Sequence, residues 1–183
     1  MVERSRTPRQ SPTEQDDVRV VSTAALNARR AGAVADALLA GGVRDVVISP
    51  GSRNTPLVLA FDDRSVETHV VLDERAAGFI ALGLSRASGC PTALLCTSGS
   101  AAAHYLPAVI EATASGVPLV VLSADRPYEL HHIGAPQTIE QAHLFGSHVR
   151  WYADLGTPDS EIATNWTAII VAQALDSALS GAG

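Results

Sequence analysis

One pattern recurs along this chain: a short, nearly unbroken apolar run, a turn of small residues, then a stretch with helical periodicity. The runs cover residues 43–49, 68–72, 92–96 and 117–122. Strands this uniformly apolar, each followed by a helix, belong in a parallel sheet covered on both faces. Right-handed crossovers then bring every strand's C-terminal end to the same edge of the sheet. Ligands bind at that edge in open sheets of this kind. The expected fold is therefore α/β, three layers in the order α/β/α with a mainly parallel sheet.

The elements between the runs follow from caps and breakers. Residues 1–21 are polar and mixed in charge, and read as a disordered tail. A single domain is expected over 22–183. Thr23 can cap a helix that the Gly41-Gly42 pair stops. Thr55-Pro56 opens a short helix, with proline at its tolerated start. A helix following Asp73-Glu74 should end near Ser88-Gly89. The Ala-rich stretch after Ser100 predicts a helix to about Ser115, kinked or restarted at Pro107. An irregular segment, 125–138, precedes a short helix over 139–145. Residues 148–152 read as a fifth strand, and 158–179 as a closing amphipathic helix.

Bulk properties remove several functions. A formal net charge of -6 argues against non-specific nucleic-acid or anionic-membrane partners. No apolar run approaches the ~20 residues of a membrane span, and the N-terminus lacks a signal-peptide core, so a cytoplasmic protein is expected. Aromatics make up only 4% of the chain, which leaves the core to Ala, Val, Leu and Ile. Cys90 and Cys96 match no common zinc or redox spacing and read as reduced core thiols. His131-His132 has no supporting ligand cluster, so no metal site is expected within this chain.

Four motifs fall at the binding edge. Ser49-Pro-Gly-Ser-Arg53 can form an anion site from backbone N–H groups, the Ser52 hydroxyl and the Arg53 guanidinium; it can equally be an ordinary tight turn. Thr97-Ser-Gly-Ser100 is either a close-approach turn for a flat ligand or a helix cap. Asp125-Arg-Pro127 opens a loop of unusual length. It brings Arg126 to the same edge as Arg53, with Gln137 further along as a neutral donor and acceptor; the alternative is a plain surface loop with a salt bridge between Asp125 and Arg126. Glu74 is either a charge placed for the helix dipole or a catalytic carboxylate. The first reading expects a wet environment and the second an apolar one.

Taken in order, five segments resemble one family. They are Ser-Pro-Gly-Ser-Arg-Asn-Thr-Pro-Leu (49–57), Asp-Glu-Arg-Ala-Ala-Gly-Phe (73–79), Cys-Thr-Ser-Gly-Ser-Ala-Ala-Ala (96–103), Ser-Ala-Asp-Arg-Pro-Tyr-Glu-Leu (123–130) and Gly-Ala-Pro-Gln-Thr-Ile (134–139). Together they are similar to the N-terminal, pyrimidine-binding domain of the MenD-type thiamine-diphosphate enzymes. These are the 2-succinyl-5-enolpyruvyl-6-hydroxy-3-cyclohexene-1-carboxylate synthases of menaquinone biosynthesis. The resemblance implies a thiamine-diphosphate-binding fold and a catalytic, cofactor-binding role for Glu74. In that family a glutamate here bonds N1′ of the cofactor's aminopyrimidine and favours the imino tautomer that removes the thiazolium C2 proton. 2-Oxoglutarate is then decarboxylated, and its succinyl unit is added to isochorismate. Ser52, Arg53, Arg126 and Gln137 are implied as contacts for substrate carboxylates or hydroxyls.

The resemblance also implies what lies elsewhere. The family holds the diphosphate and Mg²⁺ through a Gly-Asp-Gly…Asn motif in a later domain, and this sequence contains no such motif. A homodimer or higher homo-oligomer is implied, with the cofactor between domains of two subunits, and this chain alone is expected to be inactive. Two positions depart from the family pattern: many relatives carry Asn where this chain has Pro136, and an Asn is common where it has His104. Two alternatives share parts of the pattern. Another thiamine-diphosphate decarboxylase or acyloin synthase would keep Glu74 without needing the arginine pair, and a non-catalytic anion-binding domain would use the 49–53 loop alone.

Overall fold

A computed structural model describes residues 21–62, 64–158 and 164–180. The expected tail, apart from Val21, lies outside the described residues, as do the first residues after Pro158 in the closing helix. Among the described residues the first element is α1 (Thr23–Ala40), whose cap is Ser22 rather than Thr23: the Ser22 hydroxyl accepts from the Ala25 N–H. Gly41 ends it. There follow β1 (Asp45–Ile48), α2 (Thr55–Asp62), β2 (Glu67–Val70), α3 (Glu74–Ser88) and β3 (Thr92–Cys96). After a 3-10 stretch (Gly99–Tyr105) come α4 (Leu106–Ala114), β4 (Leu119–Ser123) and finally α5 (Thr164–Leu179).

All strand pairings are parallel and the sheet order is β2-β1-β3-β4. Alternation along each strand divides the core in two. Val46, Ile48, Ala93, Leu95 and Val120 face α1, α2 and α5. Val47, Leu94 and Cys96 face α3, the 3-10 stretch and α4. The result is the expected three-layer α/β/α arrangement. β3 is buried along its whole length, as a central strand must be, whereas β2 is an exposed edge.

Proline 107 does what its chemistry predicts. It falls in the first turn of α4, where its missing N–H is not needed, and the tighter 3-10 stretch precedes it. Two expectations fail. Residues 148–152 form no strand: they follow a 3-10 turn (Gly146–His148) on the α4 side, where Thr113 Oγ1 donates to the His148 carbonyl at 2.6 Å, and the segment then crosses between the two half-cores, Val149 packing against one and Leu155 against the other. Residues 139–141 are irregular and 142–145 form a turn, in place of the expected helix. His143 there has φ +53, and the Gln141 side chain is committed to the sheet edge instead of facing solvent as on a surface helix.

Candidate active site at the sheet edge

The strand order places a topological switch between β1 and β3. The chain leaves β1 for α2 on one face and β3 for α4 on the other, which opens a crevice at their C-terminal ends. The two loops bordering it are 49–54 and 97–100. Asn54, fully buried, braces the first: its Oδ1 accepts from the Gly51 N–H and its Nδ2 donates to the Ser49 carbonyl, both at 2.9 Å. Ser52 and Arg53 are thereby turned outward and exposed. Gly51 is required by close approach, since a Cβ there would lie 2.5 Å from Thr97 Cβ.

Glu74 starts α3 beside the end of β2. The helix-start role belongs to its neighbour: the Asp73 carboxylate caps α3, accepting from the N–H groups of Arg75 and Ala76. The Arg75 guanidinium, followed by the Ala76 N–H, holds the Asp73 carboxyl well below the usual carboxylate range. Glu74 is half-buried, and among the described residues its carboxylate has no hydrogen-bond or ion-pair partner. Its charge adds to burial in pushing two interior groups upward, the Cys96 thiol to about 12 and the Tyr105 phenol in the same direction. In both cases burial is the larger cause. Glu74 thus borders the apolar half-core of α3, β3 and the 3-10 stretch.

On the far side, Arg126 follows β4. It is half-buried, and its Nε is fully buried without a partner. Burial also raises the carboxyl of its neighbour Asp125, opposed by the Arg126 N–H that donates to it. Gln137 adopts φ +53, uncommon for a residue with a side chain. The Ser98 hydroxyl donates to its carbonyl, and Gly99 backs onto its main chain so closely that a Cβ would sit 3.2 Å away. Arg53 and Arg126 leave strands two places apart, about 10 Å at the usual strand spacing. The predicted residues therefore share one sheet edge, and Gln137 is held directly over the 97–100 turn.

His131 is committed to the same loop: its Nε2 lies 3.0 Å from the Arg126 carbonyl. Among the described residues no group of three or more His, Cys, Asp or Glu side chains could hold a metal ion. Gln141 carried no signal in the sequence reading, although it is buried and hydrogen-bonded at both ends of its amide. A glutamine in a polar stretch looks like any surface residue, and only the length of the loop hinted that something anchors it.

Residues 29–144, more than half of the chain, match the family described as thiamine pyrophosphate enzyme, N-terminal TPP binding domain. The chain belongs to that family. This TPP-binding domain is also similar to several 2-succinyl-5-enolpyruvyl-6-hydroxy-3-cyclohexene-1-carboxylate synthases. That of Chloroflexus aurantiacus is 59% identical over 128 residues, covering 69% of this chain and 22% of the relative. That of Bacillus pumilus is 52% identical over 129 residues, covering 70% and 22%. That of Sorangium cellulosum is 53% identical over 146 residues, covering 79% and 24%. The chain thus spans about a quarter or less of the length of the curated relatives it matches.

The residues present fit the pyrimidine half of the cofactor. An aminopyrimidine ring needs a carboxylate that is not already engaged by protein donors, and Glu74 is such a group at the sheet edge. No matching group for a diphosphate-bound metal occurs among the described residues.

Proposed function

We propose that this TPP-binding domain serves a 2-succinyl-5-enolpyruvyl-6-hydroxy-3-cyclohexene-1-carboxylate synthase, acting on 2-oxoglutarate and isochorismate in menaquinone biosynthesis. The observation that carries the reading is the composition of the sheet edge: one unpartnered carboxylate, Glu74, together with two arginines, Arg53 and Arg126, whose guanidinium groups have no hydrogen-bond or ion-pair partner among the described residues. A decarboxylase whose 2-oxo acid carries only the carboxylate that leaves as CO₂ has little use for two such cations, whereas 2-oxoglutarate and isochorismate both carry carboxylates that are retained.

Bound thiamine diphosphate supplies the thiazolium carbon that makes decarboxylation of a 2-oxo acid possible. Glu74 would hold the aminopyrimidine through a hydrogen bond to its ring nitrogen N1′, and the seat of the carboxylate against the apolar half-core would strengthen that bond. Arg53 and Arg126 bind substrate carboxylates, for which the planar fork of each guanidinium can donate two hydrogen bonds at once. Ser52 and Gln137 serve hydroxyl or carboxylate oxygens beside them.

Mg²⁺ and the diphosphate are held, in this reading, by a domain outside the present sequence and belonging to a second subunit of a homodimer or higher oligomer. Support comes from α3, the helix that begins with Glu74, which leaves Phe79 and Ile80 exposed to solvent. A cytoplasmic location belongs to the same proposal; among the described residues no helix is long and apolar enough to cross a membrane.

The test is substrate profiling of the full-length enzyme carrying this domain. The expected result is product formation that requires both 2-oxoglutarate and isochorismate, with KM for one of them raised about 10- to 100-fold by Arg53→Ala or Arg126→Ala, as for loss of a charged hydrogen bond. Decarboxylation with other acceptors and indifference to isochorismate would make the protein a different thiamine-diphosphate enzyme. Anion binding without any turnover would leave a binding domain.

A further inference from the structure

Beyond Cys96 and Ser123 the β3–β4 ladder should stop, because the two strands diverge into the 97–100 turn and the 125–138 loop. One more main-chain bond is made, from the Ala124 N–H to the Cys96 carbonyl at 3.1 Å. The next rung is supplied by a side chain. Gln141 Oε1 accepts from the Gly99 N–H at 2.6 Å, and its Nε2 donates to the Ala124 carbonyl at 3.0 Å. A carboxamide has the donor and acceptor of a peptide group, so Gln141 replaces a rung between strands that have already separated. It is more than nine-tenths buried, where either main-chain group left unpaired would be costly.

We infer that Gln141 is a positioning residue for the substrate contacts on both sides of it. On the β4 side, Ala124 precedes Asp125 and Arg126 directly. Its carbonyl is fixed by Gln141, while the Arg126 carbonyl is fixed by His131. On the β3 side, Gly99 and Ser98 carry the left-handed main chain of Gln137. One amide therefore sets the separation of the segments bearing Arg126 and Gln137. This inference rests on the reading of those two residues as substrate contacts.

The experiment uses the full-length enzyme and two variants. Gln141→Met keeps the volume and loses both hydrogen bonds. It is expected to raise KM, for whichever carboxylate substrate Arg126→Ala affects, by about tenfold, the scale of a lost, well-placed hydrogen bond, while kcat falls far less. Combined with Arg126→Ala it should be less than multiplicative, because the two act through one contact. Gln141→Glu keeps the acceptor toward Gly99 but can donate to Ala124 only when protonated. Its KM, relative to the unsubstituted enzyme, should fall toward normal as pH drops from 8 to 6. This pH dependence carries the test if the Met variant does not fold. Multiplicative effects with Arg126→Ala, or normal KM in both Gln141 variants while Arg126→Ala raises it, would overturn the positioning role and leave the substrate reading standing. An Arg126→Ala enzyme with unchanged KM would overturn both.

Discussion

Asp73 and Glu74 are adjacent acids at one helix start, and the structure gives them different work. Asp73 caps α3 and is tied to Arg75; Glu74 has no partner among the described residues and borders buried Cys96 and Tyr105. Asp73→Ala should therefore lower the melting temperature, while Glu74→Gln should leave it unchanged; scanning calorimetry of the two variants checks this. Cys96 gives a second expectation. Burial pushes its thiol up to about 12, so between its unfolded value, ~8.5, and that folded value only the native state keeps the proton. The stability it contributes is full below about pH 8.5 and is lost as pH rises. The raised Tyr105 phenol acts in the same direction at higher pH. Denaturant midpoints should be flat with respect to these groups from pH 7 to 8 and fall toward pH 10, and Cys96→Ala should reduce that slope. Cys90, only half-buried, should be alkylated well before Cys96.

Elements were legible where one strong physical signal fixed them. β3 spans Thr92–Cys96 as read, since five residues buried on both faces leave no ambiguity of face or period. α3 ends at Ser88 because Gly89 takes the left-handed cap. The supposed strand at 148–152 had suitable residues, but its start is tied to α4 and Val149 and Leu155 pack against opposite half-cores, and pairing is a property of the sheet, not of the segment. Packing between helices was equally invisible: Gly78 of α3 faces Ala108 of α4 so closely that a Cβ would lie 2.9 Å from the alanine's. Gly78→Leu should cost about 1–3 kcal/mol of stability by overpacking, measurable by urea denaturation. A variant as stable as the parent would mean that α3 and α4 can separate freely.

For the whole molecule, the sheet edge as the candidate site followed from parallel strands each succeeded by a helix, but its occupants did not. Ser52, Arg53, Glu74, Arg126 and Gln137 became meaningful through five segments in fixed order, whereas Asn54 and Gln141, which hold the loops in shape, are ordinary polar residues until the fold brings their partners to them. In the proposed reading the same edge offers a pyrimidine-side carboxylate and anion contacts, and among the described residues it has no metal cluster. The isolated chain, given thiamine diphosphate, Mg²⁺, 2-oxoglutarate and isochorismate, should accordingly form no product; turnover by it would show that no second domain is needed. The most direct test of the central claim is the kcat of the full-length enzyme carrying Glu74→Gln, which keeps the shape and removes the charge. A fall of about 100-fold or more, the scale of a lost acid–base group, with folding intact is the expected result, and a kcat close to that of the unsubstituted enzyme would contradict a catalytic role for Glu74.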